Sequence, residues 1–196
     1  GRYVYMAPGN FIAPDGISLR YDTTKPFGDV ASWTPFDLRT RDPHAYLYTG
    51  ATFDGKYVYY APYYYFGMGE TAAIPAARFD TTGAFDDVMA WKTFDTTTVA
   101  TAATGFLGAA FDGRYVWYVP WVSATLARYD TLAPFDAKSS WTTYDLSNLD
   151  AKATRFHGAV FDGEHIYFVP SELGVIVRFD ARSPPALPSS YHGSFY

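Results

Sequence analysis

Phe111-Asp112-Gly113-Arg114-Tyr115-Val116-Trp117-Tyr118-Val119-Pro120 is the stretch that decides the fold. Asp-Gly is a tight-turn dipeptide, because glycine accepts a positive φ. The aromatic and β-branched run behind it is strand-forming. The stretch recurs from Phe53-Asp54-Gly55 to Pro62 and from Phe161-Asp162-Gly163 to Pro170, and Gly1 to Pro8 repeats its second part. Glycine and proline stand seven residues apart in all four copies.

Working outward, each copy is followed by an Arg-(Tyr/Phe)-Asp triplet, at Arg20, Arg78, Arg128 and Arg178. An aromatic comes 13 residues later, at Trp33, Trp91, Trp141 and Tyr191, and each Trp precedes the next turn glycine by 22 residues. Only the gap from proline to arginine varies, at 12, 16, 8 and 8 residues. The chain is therefore a repeat protein whose length variation is confined to one loop.

In the third unit, Gly108-Ala-Ala-Phe-Asp reads as a short strand of small residues. Arg114 to Pro120, Thr125 to Thr131 and Trp141 to Asp145 follow as three more, with a bend carrying Pro134-Phe135-Asp136 before the last. Four antiparallel strands per repeat of about 50 residues are the pattern of β-propeller blades. A sandwich does not explain the strict repeat, and solenoid coils have fewer strands per repeat. The expected fold is an all-β propeller of about four blades, as one domain or propeller segment spanning 1–196. The repeats run approximately 1–49, 50–107, 108–157 and 158–196. The first blade lacks its inner strand, since the sequence enters at a second strand. The start at Gly1 rather than methionine points to a trimmed N-terminus. An open sheet edge near Gly1 and Tyr196 is a place for strand sharing with another chain.

The Phe-Asp-Gly-Arg-Tyr-Val, Arg-Tyr-Asp-Thr and Ser-Trp-x-x-(Phe/Tyr)-Asp motifs resemble bacterial β-propeller repeats, distantly similar to kelch and tachylectin-type blades. The resemblance covers essentially the whole chain and speaks for fold rather than activity. The kelch double glycine and the Trp-Asp dipeptide are absent.

Composition narrows the function. Net charge is −5 with no basic run, which argues against nucleic acid and against an anionic membrane surface. No apolar run is long enough for membrane insertion by a helix. The absence of cysteine removes disulfides and thiolate metal sites. It is compatible with an extracellular or cell-surface bacterial setting. No cofactor is indicated; calcium held by loop carboxylates and carbonyls stays open as an alternative, although nothing resembles an EF-hand loop.

Residues present in every unit read as scaffold. Asp54, Asp112 and Asp162 are expected to cap their own turns. The Arg and Asp of the triplets are expected to pair between strands or blades. Phe27, Phe85 and Phe135, with Trp33, Trp91 and Trp141, are expected in the core or at blade seams.

The candidates for function lie on the face that carries the variable loop and the links between blades. They are Tyr63, Tyr64, Tyr65, Phe66 and Glu70 in the longest loop, with Trp121, His157 and Glu172 from the later units. Aromatic faces with a few carboxylates and a histidine suit sugar rings. The reading is a non-enzymatic recognition module, lectin-like, for a glycan. The alternative is a structural or protein-interaction subunit of a larger assembly, with the tyrosines packed on a protein partner. A hydrolase is disfavoured. Glycosidases need paired carboxylates, and the only glutamates are Glu70, Glu164 and Glu172, with Glu164 on the opposite face.

Overall fold

A computed structural model of the chain describes residues 1–9, 12–13, 15–63, 73–171 and 174–181. Among these residues fourteen strands form four antiparallel sheets. The first sheet contains β1 (Tyr3–Met6), β2 (Ile17–Asp22) and β3 (Trp33–Asp37). The second contains β4 (Tyr48–Phe53), β5 (Tyr57–Pro62), β6 (Ala76–Asp80) and β7 (Trp91–Phe94). The third contains β8 (Phe106–Phe111), β9 (Tyr115–Pro120), β10 (Thr125–Asp130) and β11 (Trp141–Asp145). The fourth contains β12 (Phe156–Phe161), β13 (His165–Pro170) and β14 (Val177–Asp180). Each is a meander in chain order, so every sheet is one blade of a β-propeller. Among the described residues the first blade has three strands, with β1 at the edge of the sheet. The described part of the fourth blade comprises three strands, and Tyr191, expected in a fourth, lies outside the described residues.

Small residues set the approach of the inner strands. A Cβ on Gly50 of β4 would sit 3.1 Å from Gly108 Cα of β8. The Thr49 hydroxyl donates to the Phe106 carbonyl across the same gap at 2.8 Å. The turn glycines Gly55, Gly113 and Gly163 take φ of 103°, 102° and 101°, which explains why Asp-Gly recurs there. Asp54, Asp112 and Asp162 each accept backbone N–H groups from the residues two and three positions on.

Three apolar seams run between consecutive blades. In the first, Phe36 and Tyr5 of one blade meet Phe79, Phe85 and Trp91 of the next. In the second, Phe94 and Tyr59 meet Tyr129, Phe135 and Trp141. The triplet arginines lie over rings. Arg20 covers Tyr3 at 4.3 Å and Phe85 of the next blade at 5.3 Å. Arg78 covers Tyr57 at 4.0 Å and Phe135 at 5.1 Å, again bridging two blades. The triplet aspartates of the first three blades instead pair with the cation behind the turn glycine, Asp22 with Arg2, Asp80 with Lys56 and Asp130 with Arg114.

One scaffold expectation fails in the first blade. Phe27 is 69% exposed, whereas Phe85 and Phe135 are 0% exposed. Its ring still meets Trp33 and Tyr21, but among the described residues no blade packs over Phe27 as one packs over Phe85 and Phe135. Sequence equivalence gives the local cluster, and the burial of Phe85 and Phe135 comes from Tyr5 and Tyr59 of the blade before each.

Candidate functional site

Each link between blades begins with an aspartate that caps a short 3₁₀ turn. Asp37, Asp95 and Asp145 accept the backbone N–H of Arg39, Thr97 and Ser147. Each link then passes a fully buried alanine, Ala45, Ala103 or Ala153, and enters an inner strand. The residue after each repeat proline is tied to that entry. Tyr63 donates its backbone N–H to Leu47, Trp121 to Gly105, and Ser171 to Arg155, at 3.0–3.1 Å. The variable loops and the links therefore share one face of the molecule.

Each inner strand starts with a β-bulge, at Thr49 in the second blade, Leu107–Gly108 in the third and His157 in the fourth. A bulge bends the strand and re-aims the extra side chain. His157 is exposed, and its ring meets Trp121 of the preceding blade with centroids 5.0 Å apart at 66°. These two candidates come from different blades and 36 residues apart in sequence, and the bulge brings them together.

The Trp121 loop is braced on both sides. The Ser123 hydroxyl donates to Ala102 at 2.6 Å and accepts from the Thr125 backbone at 3.0 Å. Thr154 of the next link donates to the Ser123 carbonyl at 3.3 Å. Two residues before His157, Arg155 has φ of 57°, the sole positive φ of a non-glycine residue among the described ones. Its counterpart Gly105 has φ of 68°. Left-handed backbone at arginine costs on the order of 1 kcal/mol, and such outliers cluster at ligand sites. No sequence signal marked Arg155 as strained beyond its standing where glycine stands in the unit before.

Tyr63 does not join this pair. It is half-buried against the first seam, packed with the same core as Tyr46. Tyr48 and Phe156, the first residues of β4 and β12, are wholly buried, and the Tyr48 hydroxyl donates to Pro75 at 2.9 Å. Tyr64, Tyr65, Phe66, Glu70 and Glu172 lie outside the described residues. Asp112, on the opposite face, is a buried carboxylate. Burial raises its pKa, while the N–H groups of Tyr115, Arg114 and the Trp117 indole pull the other way. Among the described residues no group of three or more His, Asp or Glu side chains is arranged to hold a metal.

No protein-family model matches the chain, and no curated protein matches it. Among solved structures it is similar to a catalytically inactive virginiamycin B lyase from Staphylococcus aureus with quinupristin. That likeness has 19% identity, covers 84% of this chain and 45% of that one, and has a TM-score of 0.54. Selenomethionine-substituted virginiamycin B lyase from the same organism aligns at 12% identity, 85% and 63% coverage and a TM-score of 0.37. A streptogramin B lyase aligns at 13% identity, 85% and 62% coverage and a TM-score of 0.37. The first likeness is one of fold, the β-propeller. The chain spans less than half the length of that lyase.

Proposed function

We propose that the chain is a non-enzymatic recognition module that binds carbohydrate on the face carrying Trp121 and His157. The observation that carries this reading is the braced corner those two rings make, 5.0 Å apart and steeply inclined. A partly exposed indole offers a flat apolar surface to the C–H face of a sugar ring. The imidazole beside it offers nitrogen to a hydroxyl. Bracing by Ser123 and Thr154 means little side-chain and loop freedom is lost on binding. The lyases share the fold at low identity, and a fold hosts many activities.

A glycan array followed by calorimetry on the best hit tests the reading. Trp121→Ala is expected to weaken binding at least tenfold, about 1.4 kcal/mol, with the thermal midpoint little changed. An array with no hit, or a hit indifferent to Trp121→Ala and His157→Ala, sinks it. The second reading is a structural or protein-interaction subunit of a larger assembly.

A further inference from the structure

In each of the first three blades the strand behind the turn glycine is fastened to the strand carrying the Arg-(Tyr/Phe)-Asp triplet in the same three ways. The cation after the glycine meets the triplet aspartate, Arg2 with Asp22 at 2.7 Å, Lys56 with Asp80 at 3.8 Å and Arg114 with Asp130 at 2.8 Å. The triplet arginine covers the tyrosine that follows the cation, Arg20 over Tyr3, Arg78 over Tyr57 and Arg128 over Tyr115, at 4.0–4.3 Å. The threonine behind the triplet donates its hydroxyl to the carbonyl of the cationic residue, from Thr23, Thr81 and Thr131, at 2.6–2.7 Å.

The fourth blade changes all three residues. Glu164 stands in place of the cation, His165 in place of the tyrosine and Ala181 in place of the threonine. The backbone arrangement is kept. His165 faces Asp180 in register, as Tyr57 faces Asp80 and Tyr115 faces Asp130, and the Ala181 N–H donates to the Glu164 carbonyl at 2.8 Å. The same fastening is thus built with an acid where the others have a base, and with an imidazole where the others have a phenol. We propose that it is a pH-operated clasp, in which protonated His165 supplies the positive charge that Arg2, Lys56 and Arg114 supply permanently, and so tightens β14 against β13 in mildly acidic solution.

The surroundings of His165 decide the sign. Its side chain is 15% exposed, and its Nδ1 lies 3.8 Å from Asp162 Oδ2. The charged and titratable groups around it are Asp162 in the turn, Glu164 and Tyr167 beside it in the chain, and Arg178 and Asp180 on β14. The neighbouring β12 brings only His157, at its far end. From the third blade Trp117 and Tyr144 pack on Phe179, on the other side of β14 from Arg178 and Asp180, with Arg128 over the Trp117 ring. Backbone N–H groups of His165 and Glu164 hold the Asp162 carboxyl below the ordinary carboxylate range, so it stays anionic well into acid. Three carboxylates therefore attract an imidazolium here, and one guanidinium repels it. Arg178 is exposed and can turn into solvent, where its repulsion is screened. Attraction wins. Imidazole changes charge between about pH 5 and pH 8, a window in which the Arg and Lys clasps of the other blades do not change.

Hydrogen exchange followed by NMR at about pH 7.5 and about pH 5.5, corrected for intrinsic rates, tests this. The β14 amides are compared with those of β10, the equivalent strand of a blade with a permanent cation. Protection of β14 relative to β10 is expected to rise about fivefold on acidification. His165→Tyr restores the repeat residue and is expected to abolish that response. Glu164→Arg restores the cation at an exposed position and is expected to give the higher protection already at the upper pH. A β14 to β10 ratio that stays constant with pH overturns the proposal, as does a response that persists in His165→Tyr. A ratio that falls in acid does the same, since Arg178 would then outweigh the carboxylates. So does a Glu164→Arg variant no better protected at the upper pH than the unmodified chain.

Discussion

The Phe36 ring lies flat on the Trp91 indole, with centroids 4.8 Å apart and planes 7° from parallel. Phe94 and Trp141 repeat the stack one blade later at 4.7 Å and 11°. The outer strand of one blade thus lays an aromatic on the outer strand of the next. The acceptor Trp is held ready by its own blade, since Trp91 and Trp141 donate to the carbonyls of Phe85 and Phe135 at 2.9 Å. Blade n fixes the ring, and blade n+1 is stabilised by what covers it.

Truncation should therefore cost according to seam position rather than repeat position. Phe85→Ala is expected to destabilise by about 3–5 kcal/mol, as for any fully buried phenylalanine. Phe27→Ala is expected to cost less than about 1 kcal/mol in dilute monomer, although the residue is the same. Urea denaturation of both variants measures the difference. Equal losses would show that Phe27 is covered in the monomer.

The Tyr60 hydroxyl meets the Ser18 hydroxyl at 3.3 Å, while the Tyr118 hydroxyl, its equivalent, is buried without a partner. The repeat explains why. Ala76 stands in the second blade where Ser18 stands in the first. Tyr118→Phe is expected to be neutral or stabilising by up to about 1 kcal/mol, and Ala76→Ser to stabilise by a similar amount. Tyr60→Phe is expected to cost about 1 kcal/mol. Thermal melts of the three variants decide it. A large loss in Tyr118→Phe would mean the hydroxyl has a partner.

Two aspartates respond to acid in opposite directions. The guanidinium of Arg2 and the hydroxyl of Thr24 hold the Asp22 carboxyl well below the usual carboxylate range. A depressed folded pKa gives stability that is present above the unfolded value near 4 and is lost as pH falls through the folded value. Burial raises the Asp112 pKa instead. Its contribution is full below the unfolded value and is lost as pH rises through the folded one. Arg2→Ala is therefore expected to reduce the loss of stability between pH 6 and pH 3, and Asp112→Asn to deepen it. Denaturation midpoints at the two pH values measure both. An unchanged pH slope in Arg2→Ala would show that the pair does not form in solution.

Much of this architecture is legible in the residues because the repeat reports on itself. Asp112-Gly113 gives the hairpin, Tyr115 to Pro120 the strand behind it, and the constant spacings repeat both. The stacking arginines are less legible. Arg78 and Asp80 lie two apart, so pairing between charges is the natural expectation, yet Arg78 spends its cation on Tyr57 and Phe135. Spacing along a strand says which side a residue is on and nothing of what the neighbouring blade brings there. The candidate site shows the same limit. Trp121 and His157 are both readable as non-repeated residues on one face, but their contact depends on a bulge that moves the strand register by one residue. Composition carries no such signal.

Close approach of the inner strands should make equivalent glycines unequal. Gly50 would put a Cβ 3.1 Å from the Gly108 backbone, whereas a Cβ on Gly158 meets nothing within 4 Å. Gly50→Val is expected to destabilise by about 1–3 kcal/mol, through strain on the β4–β8 contact. Gly158→Ala is expected to be neutral within about 0.5 kcal/mol. Comparable losses at both positions would mean that Gly158 is packed as closely as Gly50 is against Gly108.

The backbone at Arg155 ties stability to the candidate site. Gly105 takes the same left-handed conformation without a side-chain penalty, so Gly105→Ala is expected to cost about 1 kcal/mol. Arg155→Gly relieves that strain but loosens the unfolded chain, and the two effects nearly offset, leaving stability unchanged or slightly higher. Binding should behave differently. Arg155 stands two residues before the His157 bulge, and its carbonyl holds the Ser171 backbone at 3.1 Å. A freer backbone there lets the imidazole leave its position against Trp121. Arg155→Gly is therefore expected to keep the thermal midpoint while lowering affinity for the best glycan-array hit several-fold, the usual exchange between a relaxed site and a working one. A variant that melts earlier and binds unchanged would place Arg155 among the supports of the fold instead.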